Sequence, residues 1–321
     1  MQRLLPTLLA ALAALVAPGL GAPRAAAGSG EKLQVVTTIP DLADIVRRVG
    51  GDEVEVKAIA RGFENLHTVR LRPSHMVMVS RAKLFVQVGL ALEHGWVPGL
   101  LESARNSRIM ADGPLNVAED WPYLIEVPLT LDRSTGVDIH PLGNPHVNLD
   151  PRFGAFAAQR IRDRLKELRP EAAAAIDANC AAYEKEIEQR GQRWKRVAAL
   201  VKGRKVVQYH KEFSYLCLAN GLEMVGALEP QPGVPPTPRH LAQLAKQMRA
   251  EGVQVVVHGP WTPGRIAEDA AARGGARAVE LPVMAQRDNG ETWLDFMDRL
   301  HDGLLAAWDL ELPPEEEDSS R

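Results

Sequence analysis

Four of the chain's nine histidines, His67, His146, His210 and His258, fall in segments that follow or join strand-like runs. A neutral imidazole presents an sp2 nitrogen lone pair and is the commonest side-chain ligand of transition-metal ions. Three or four such nitrogens at one point, with or without a carboxylate, form a donor set suited to zinc. Taken singly, a loop histidine is more often a solvated or hydrogen-bonded side chain. The local wording moves three of them away from that reading. Glu64-Asn65-Leu66-His67 runs into Arg70-Leu71-Arg72-Pro73-Ser74, and Gly143-Asn144-Pro145-His146 precedes Leu149-Asp150-Pro151. Gln208-Tyr209-His210-Lys211-Glu212-Phe213 closes a strand, and His258 ends a valine-rich run in His258-Gly259-Pro260. Of the others, His75 reads as a helix-start residue, while His94, His240 and His301 read as surface residues in or beside helices.

Other chemistries find less support. The two cysteines, Cys180 and Cys217, have no C-x-x-C partner, so a thiolate site is not indicated, and whether they pair is left open. No H-E-x-x-H motif is present. A secreted zinc hydrolase would have to use Glu64 or Glu212 as general base, and neither is singled out by its spacing. A net charge of -3 supplies no basic face of the kind a phosphate backbone requires, which excludes nucleic acid as partner.

The elements that must position the histidines alternate between strand and helix. Residues 33–39 form a β-branched run ending at Pro40, followed by helical apolar spacing at 41–46. A strand at 53–59, the loop of His67, a helix at 73–81 and a strand at 84–88 continue the pattern. Residues 136–151, rich in Gly, Pro, Asn and Asp, read as a loop carrying His140 and His146. Helical periodicity covers 153–201 with a break at Pro170, and its long second half suggests a strut between two lobes. Beyond Gly203 the alternation restarts, with strands at 205–208, 223–228, 253–257 and 278–281. Helices are expected at 213–220, 239–251, 266–273 and 292–310. The fold class is α/β, with two lobes, each a mostly parallel sheet flanked by helices, joined by one long mid-chain helix. In such sheets ligands bind beyond the carboxyl ends of the strands, where these histidines lie.

At 321 residues two cores are expected. Arg3, an apolar run over residues 4–20 broken by Pro6 and Pro18, and Ala25-Ala26-Ala27 form a secretory signal pattern with cleavage after Ala27. The organisation expected is therefore a signal peptide (1–27), a first metal-binding lobe (28–170), a linking helix (171–201), a second metal-binding lobe (202–312) and an acidic disordered tail (313–321).

The three histidine segments, in this order around a mid-chain helix, resemble the periplasmic zinc and manganese solute-binding proteins of ABC importers, the cluster A-I family. The resemblance covers nearly the whole mature chain. It implies that His67, His146 and His210 bind Zn2+, or Mn2+ or another divalent transition metal, in a cleft between the lobes. It further implies a monomer that hands the ion to an ABC permease and is not an enzyme. Manganese-binding relatives commonly use a carboxylate near the end of the last sheet strand. Here Glu280-Leu281-Pro282-Val283 offers no aspartate at that point. His258, standing where relatives often have glutamate, is the candidate fourth ligand, with Glu64, His140 or water as alternatives. A metal-binding adhesin or chaperone would share the same site.

Overall fold

The computed structural model describes residues 31–126, 142–231 and 233–314. The expected signal segment, His140 and nearly all of the acidic tail lie outside the described residues. No helix among the described residues is long and apolar enough to cross a membrane.

The first sheet contains β1 (Leu33–Thr37), β2 (Val54–Ala58), β3 (Leu84–Gln87) and β4 (Leu115–Asn116), in the order β2-β1-β3-β4. The second contains β5 (Lys205–Gln208), β6 (Glu223–Ala227), β7 (Val255–His258) and β8 (Arg277–Glu280), in the order β6-β5-β7-β8. Every pairing is parallel, with Val36 opposite Phe85 in the first sheet and Val207 opposite Val256 in the second. The valine-rich runs suit this arrangement, because parallel strands are covered on both faces. Burial follows position: the edge strand β2 alternates buried and exposed residues, whereas the inner strand β7 is buried throughout.

Ten helices surround the sheets among the described residues: α1 (Pro40–Gly50), α2 (Pro73–Arg81), α3 (Val97–Ala104), α4 (Ser107–Asp112), α5 (Phe153–Leu168), α6 (Ala173–Val201), α7 (Ser214–Ala219), α8 (Pro238–Glu251), α9 (Gly264–Gly274) and α10 (Trp293–Ala307). Pro170 ends α5 as its position in the sequence predicts and opens a 3-10 turn, Pro170–Ala172, that leads into α6. The 29 residues of α6 span about 43 Å at the usual rise per residue. Its buried stripe, Ile176, Cys180, Tyr183, Ile187, Trp194, Val197 and Val201, recurs at intervals of three, four and, once, seven residues, all of which return to one helix face. Both cysteines are free and buried, and burial pushes the Cys217 thiol up to about 12.

One large core runs from the first sheet through α1, α5, α6 and α10 to Val206, Phe213 and Val255 of the second lobe. A smaller core, with Val207, Tyr209, Leu244, Met248 and Val256, covers the other face of the second sheet. Alternation along a strand sends Val206 and Val255 to one core and Val207 and Val256 to the other. The helix α10 comes from the end of the chain yet packs on α6 and α1. Gly154 of α5 lies under the Trp293 ring, where a Cβ would approach within 2.2 Å of the indole. A Gly154→Ala variant is expected to lose about 1–3 kcal/mol of stability, seen as a lower melting temperature with unchanged metal binding.

His301 is a correction to the sequence reading. It is buried in α10, its Nδ1 2.7 Å from the Met297 carbonyl and its ring stacked on Trp194 at 5.6 Å. Burial pushes its imidazole down to about 4. The cause is helical spacing: His301 follows Met297 by four residues on a helix whose faces are nearly all covered.

Candidate metal centre

The loops leaving the carboxyl ends of the two sheets meet across the gap between the lobes. Asn144 Nδ2 donates to the Lys211 carbonyl at 2.8 Å, and Asn148 Nδ2 donates to the Val283 carbonyl at 2.9 Å. The Tyr215 hydroxyl donates to the Asn144 carbonyl at 2.6 Å. The histidines converge at this junction.

Two of them are held by the same device. Asn65 Oδ1 accepts from the His67 backbone N–H at 2.8 Å, and Asn144 Oδ1 accepts from the His146 backbone N–H at 3.1 Å. Each is an Asx turn, in which a short amide side chain bonds the backbone two residues on. The His67 loop is also pinned by Trp96, whose Nε1 donates to the Leu66 carbonyl at 2.8 Å. Gly95 lies so near that a Cβ there would come within 2.7 Å of the His67 carbonyl oxygen.

The far ring nitrogens are engaged in ways that set the tautomers. His146 Nδ1 lies 2.9 Å from Asn144 Oδ1, and His210 Nδ1 lies 2.7 Å from Glu229 Oε2. A carboxylate or amide oxygen can only accept, so each Nδ1 carries the proton and each Nε2 keeps its lone pair for a ligand. Glu229 reaches His210 because the β5–β6 pairing continues past the strand ends, with the Glu229 N–H donating to the Tyr209 carbonyl at 2.9 Å.

The three ligand atoms all lie within 4.8 Å of one another, and all three residues are buried. His67 Nε2 and His146 Nε2 are 3.1 Å apart. Nitrogens sharing a tetrahedral zinc ion at 2.0–2.1 Å would be about 3.3–3.4 Å apart, so little movement is needed. Ring centroids are separated by 5.1, 5.2 and 5.5 Å, and every pair is edge-on, as rings converging on one point must be.

His258 is not part of this group. It is the last residue of β7, one place beyond the expected strand end, and its Nδ1 faces the Gly259 carbonyl and Thr262 Oγ1, each at 3.1 Å. Glu64 also stands outside the group, its carboxylate accepting from the Arg61 N–H at 2.7 Å. His75 has the helix-start role expected of it, its Nδ1 accepting from the Arg72 N–H at the start of α2.

A cavity of about 10 Å3 borders His67 and His146, walled by Leu149, Val283, Trp261 and Glu212. That is room for one water. Glu212 is buried, and desolvation pushes its carboxyl up to about 7 against the opposing pull of His210 and the Trp261 hydrogen bond. The sequence reading weighed Glu212 only as a general base and passed over Glu229, Asn65, Asn144 and Trp261. The repeated Asn-x-His at 65–67 and 144–146 was the signal available for the two asparagines. A much larger concavity of about 1000 Å3 lies at the opposite end of the first sheet, around Leu33, Arg81 and Lys83, and is lined by none of the histidines.

Known proteins match this architecture. The chain is 30% identical over 177 residues to the manganese-binding lipoprotein MntA of Halalkalibacterium halodurans, covering 55% of this chain and 53% of that one. It is 23% identical over 311 residues to the zinc-binding lipoprotein AdcA of Streptococcus pneumoniae, covering 95% and 61%. The chain thus spans a little over half the length of these relatives. A crystal structure of ZnuA superimposes with a TM-score of 0.72 at 22% identity, covering 86% of this chain and 99% of that one. The family model for the periplasmic zinc-uptake complex component A matches residues 35–307. Matched over most of its length, from β1 to the end of α10, the chain belongs to the zinc-uptake complex component A family of periplasmic proteins.

Proposed function

We propose that the chain is the extracytoplasmic binding component of a metal ABC importer. It captures a transition-metal ion between its lobes and, as a monomer, delivers it to a permease in the membrane. The cargo is zinc, with manganese or another divalent ion as the alternative. The observation that carries this reading is the buried group of His67, His146 and His210, two of them with their Nε2 lone pairs set by acceptors on the far nitrogen. Three imidazoles and no carboxylate within the group favour zinc over the harder manganese ion. The names of the relatives, a zinc-binding and a manganese-binding lipoprotein, agree with a metal cargo and an exported location. Binding is favoured over hydrolysis because the cavity beside the imidazoles holds about one water and has no space for a substrate.

The test is metal analysis of the purified protein after competition with a weak chelator. One zinc ion per chain is expected, and a wild-type protein with no stoichiometric metal sinks the proposal. His258→Ala should bind zinc as wild type does. Glu229→Gln removes the charged acceptor on His210 Nδ1 and should weaken zinc about 10- to 100-fold in a competition titration. Affinity should also fall on acidification, because protons compete for the same nitrogens.

A further inference from the structure

We propose that Glu212 provides the fourth arm of the metal site, holding a water against the ion from the cavity beside His67 and His146, and thereby sets a preference for divalent over monovalent ions. This rests on the reading that the three histidines bind a metal.

The carboxylate of Glu212 is 2% exposed, and its two oxygens are used unequally. Oε2 accepts from Trp261 Nε1 at 2.8 Å, while Oε1 faces the Gly259 backbone N–H without closing a full hydrogen bond. Oε1 is turned toward Gly259, where any Cβ would come within 2.8 Å of it, so glycine at 259 makes room for the carboxylate itself. A desolvated carboxylate held only by one indole N–H and a poorly aligned backbone N–H is costly unless a cation offsets its charge.

Position supplies that cation. Glu212 sits on the 3-10 turn Lys211–Phe213, immediately after His210, and approaches the cavity from the second lobe. His67 and His146 border the same cavity from the first lobe. The carboxylate lies outside the group of mutually close ligand atoms, so it does not reach the ion directly in this geometry. The intervening space fits one water, which can bond the ion on one side and Glu212 on the other.

Charge gives the arrangement its selectivity. Three neutral imidazoles leave the ion's charge uncompensated. Glu229, acting through His210, and Glu212, acting through the water, supply two negative charges around a dication. A monovalent ion such as Cu+, which three imidazoles would otherwise accept, leaves one buried negative charge in excess. Coulomb attraction to a carboxylate scales with the ion's charge, so Zn2+ gains about twice what Cu+ gains from Glu212.

The experiment compares wild type, Glu212→Gln and Trp261→Phe by Zn2+ competition, by Cu+ competition under reducing conditions, and by the visible spectrum of the Co2+-loaded protein. In Glu212→Gln, Zn2+ affinity is expected to fall about 10- to 100-fold, and Cu+ affinity by roughly the square root of that factor. The Co2+ bands should shift in both variants, because Trp261→Phe leaves the carboxylate but removes its hold. Should Glu212→Gln not fold, the Co2+ spectrum of Trp261→Phe decides, and an unchanged spectrum overturns the proposal. Zn2+ affinity within twofold of wild type, or equal losses of Zn2+ and Cu+, also overturns it. Wild type lacking stoichiometric zinc in the same titration sinks the three-histidine reading instead. Wild type that binds, beside a Glu212→Gln that binds identically, sinks only the role of Glu212.

Discussion

Replacing His146 by alanine is expected to raise the zinc dissociation constant about 100- to 1000-fold while leaving the metal-free fold intact. A four-ligand structural zinc site is worth about 10–16 kcal/mol, hence roughly 2.5–4 kcal/mol per ligand, and each 1.4 kcal/mol is a factor of ten. His146 is the most informative of the three to remove, because it is 3.1 Å from His67 and its orientation depends on Asn144 rather than on a charged group. Asn144 Nδ2 and its carbonyl continue to link the lobes through Lys211 and Tyr215 in the variant. The measurements are a zinc competition titration and a melting curve in chelator. Zinc binding within threefold of wild type would show that the imidazoles meet for packing and not for coordination.

The second large effect lies where α1 meets the segment from 285 to 293. Asp41 is fully buried, its Oδ2 accepting from the Ala285 N–H at 3.1 Å, and burial pushes its carboxyl up from an ordinary 3.8 to about 7. Asp44, one turn on, accepts from the Trp293 N–H at 2.9 Å and is also raised by burial. For an acid raised in the folded state, folded chains hold the proton between pH 4 and 7 while unfolded chains release it. Stability therefore falls as pH climbs through that window and levels off above it. The gap between 3.8 and about 7 corresponds to about 4 kcal/mol at neutral pH and above. An Asp41→Asn variant keeps an oxygen for the Ala285 N–H and cannot ionise. It should match wild type near pH 4 and exceed it by up to about 4 kcal/mol at pH 8, as read by denaturant unfolding in chelator. A variant less stable than wild type at pH 8 would show that the carboxylate is paired more strongly than its burial implies.

Much of the fold is legible because parallel strands covered on both faces are valine-rich and separated by helical periodicity. Residues 205–208 and the run ending at His258 are such strands, and both occur as β5 and β7. The stretch from 97 to 116 was not legible: α3 and α4 have eight and six residues, and β4 has two, too few for a period to emerge. The convergence of His67, His146 and His210 could be anticipated because their three segments, in this order around a mid-chain helix, resemble those of the zinc and manganese solute-binding family. Their partners could not. Glu229 stands 19 residues from His210 and reaches it only through parallel strand pairing. Glu212 is only two residues from His210, yet its carboxylate is held by Trp261, 49 residues away. His258 shows the limit from the other side, since the strand was expected to within a residue of its end and the direction of the side chain was not encoded there.

The contacts of Asp41 and Asp44 bridge 244 and 249 residues of chain. A nascent polypeptide therefore has α1 waiting, with two buried acceptors unsatisfied, until residues 285–293 have been made. Closure this late keeps contact order high and the early chain loose. Folding of this core is thereby postponed until α10 arrives to dock.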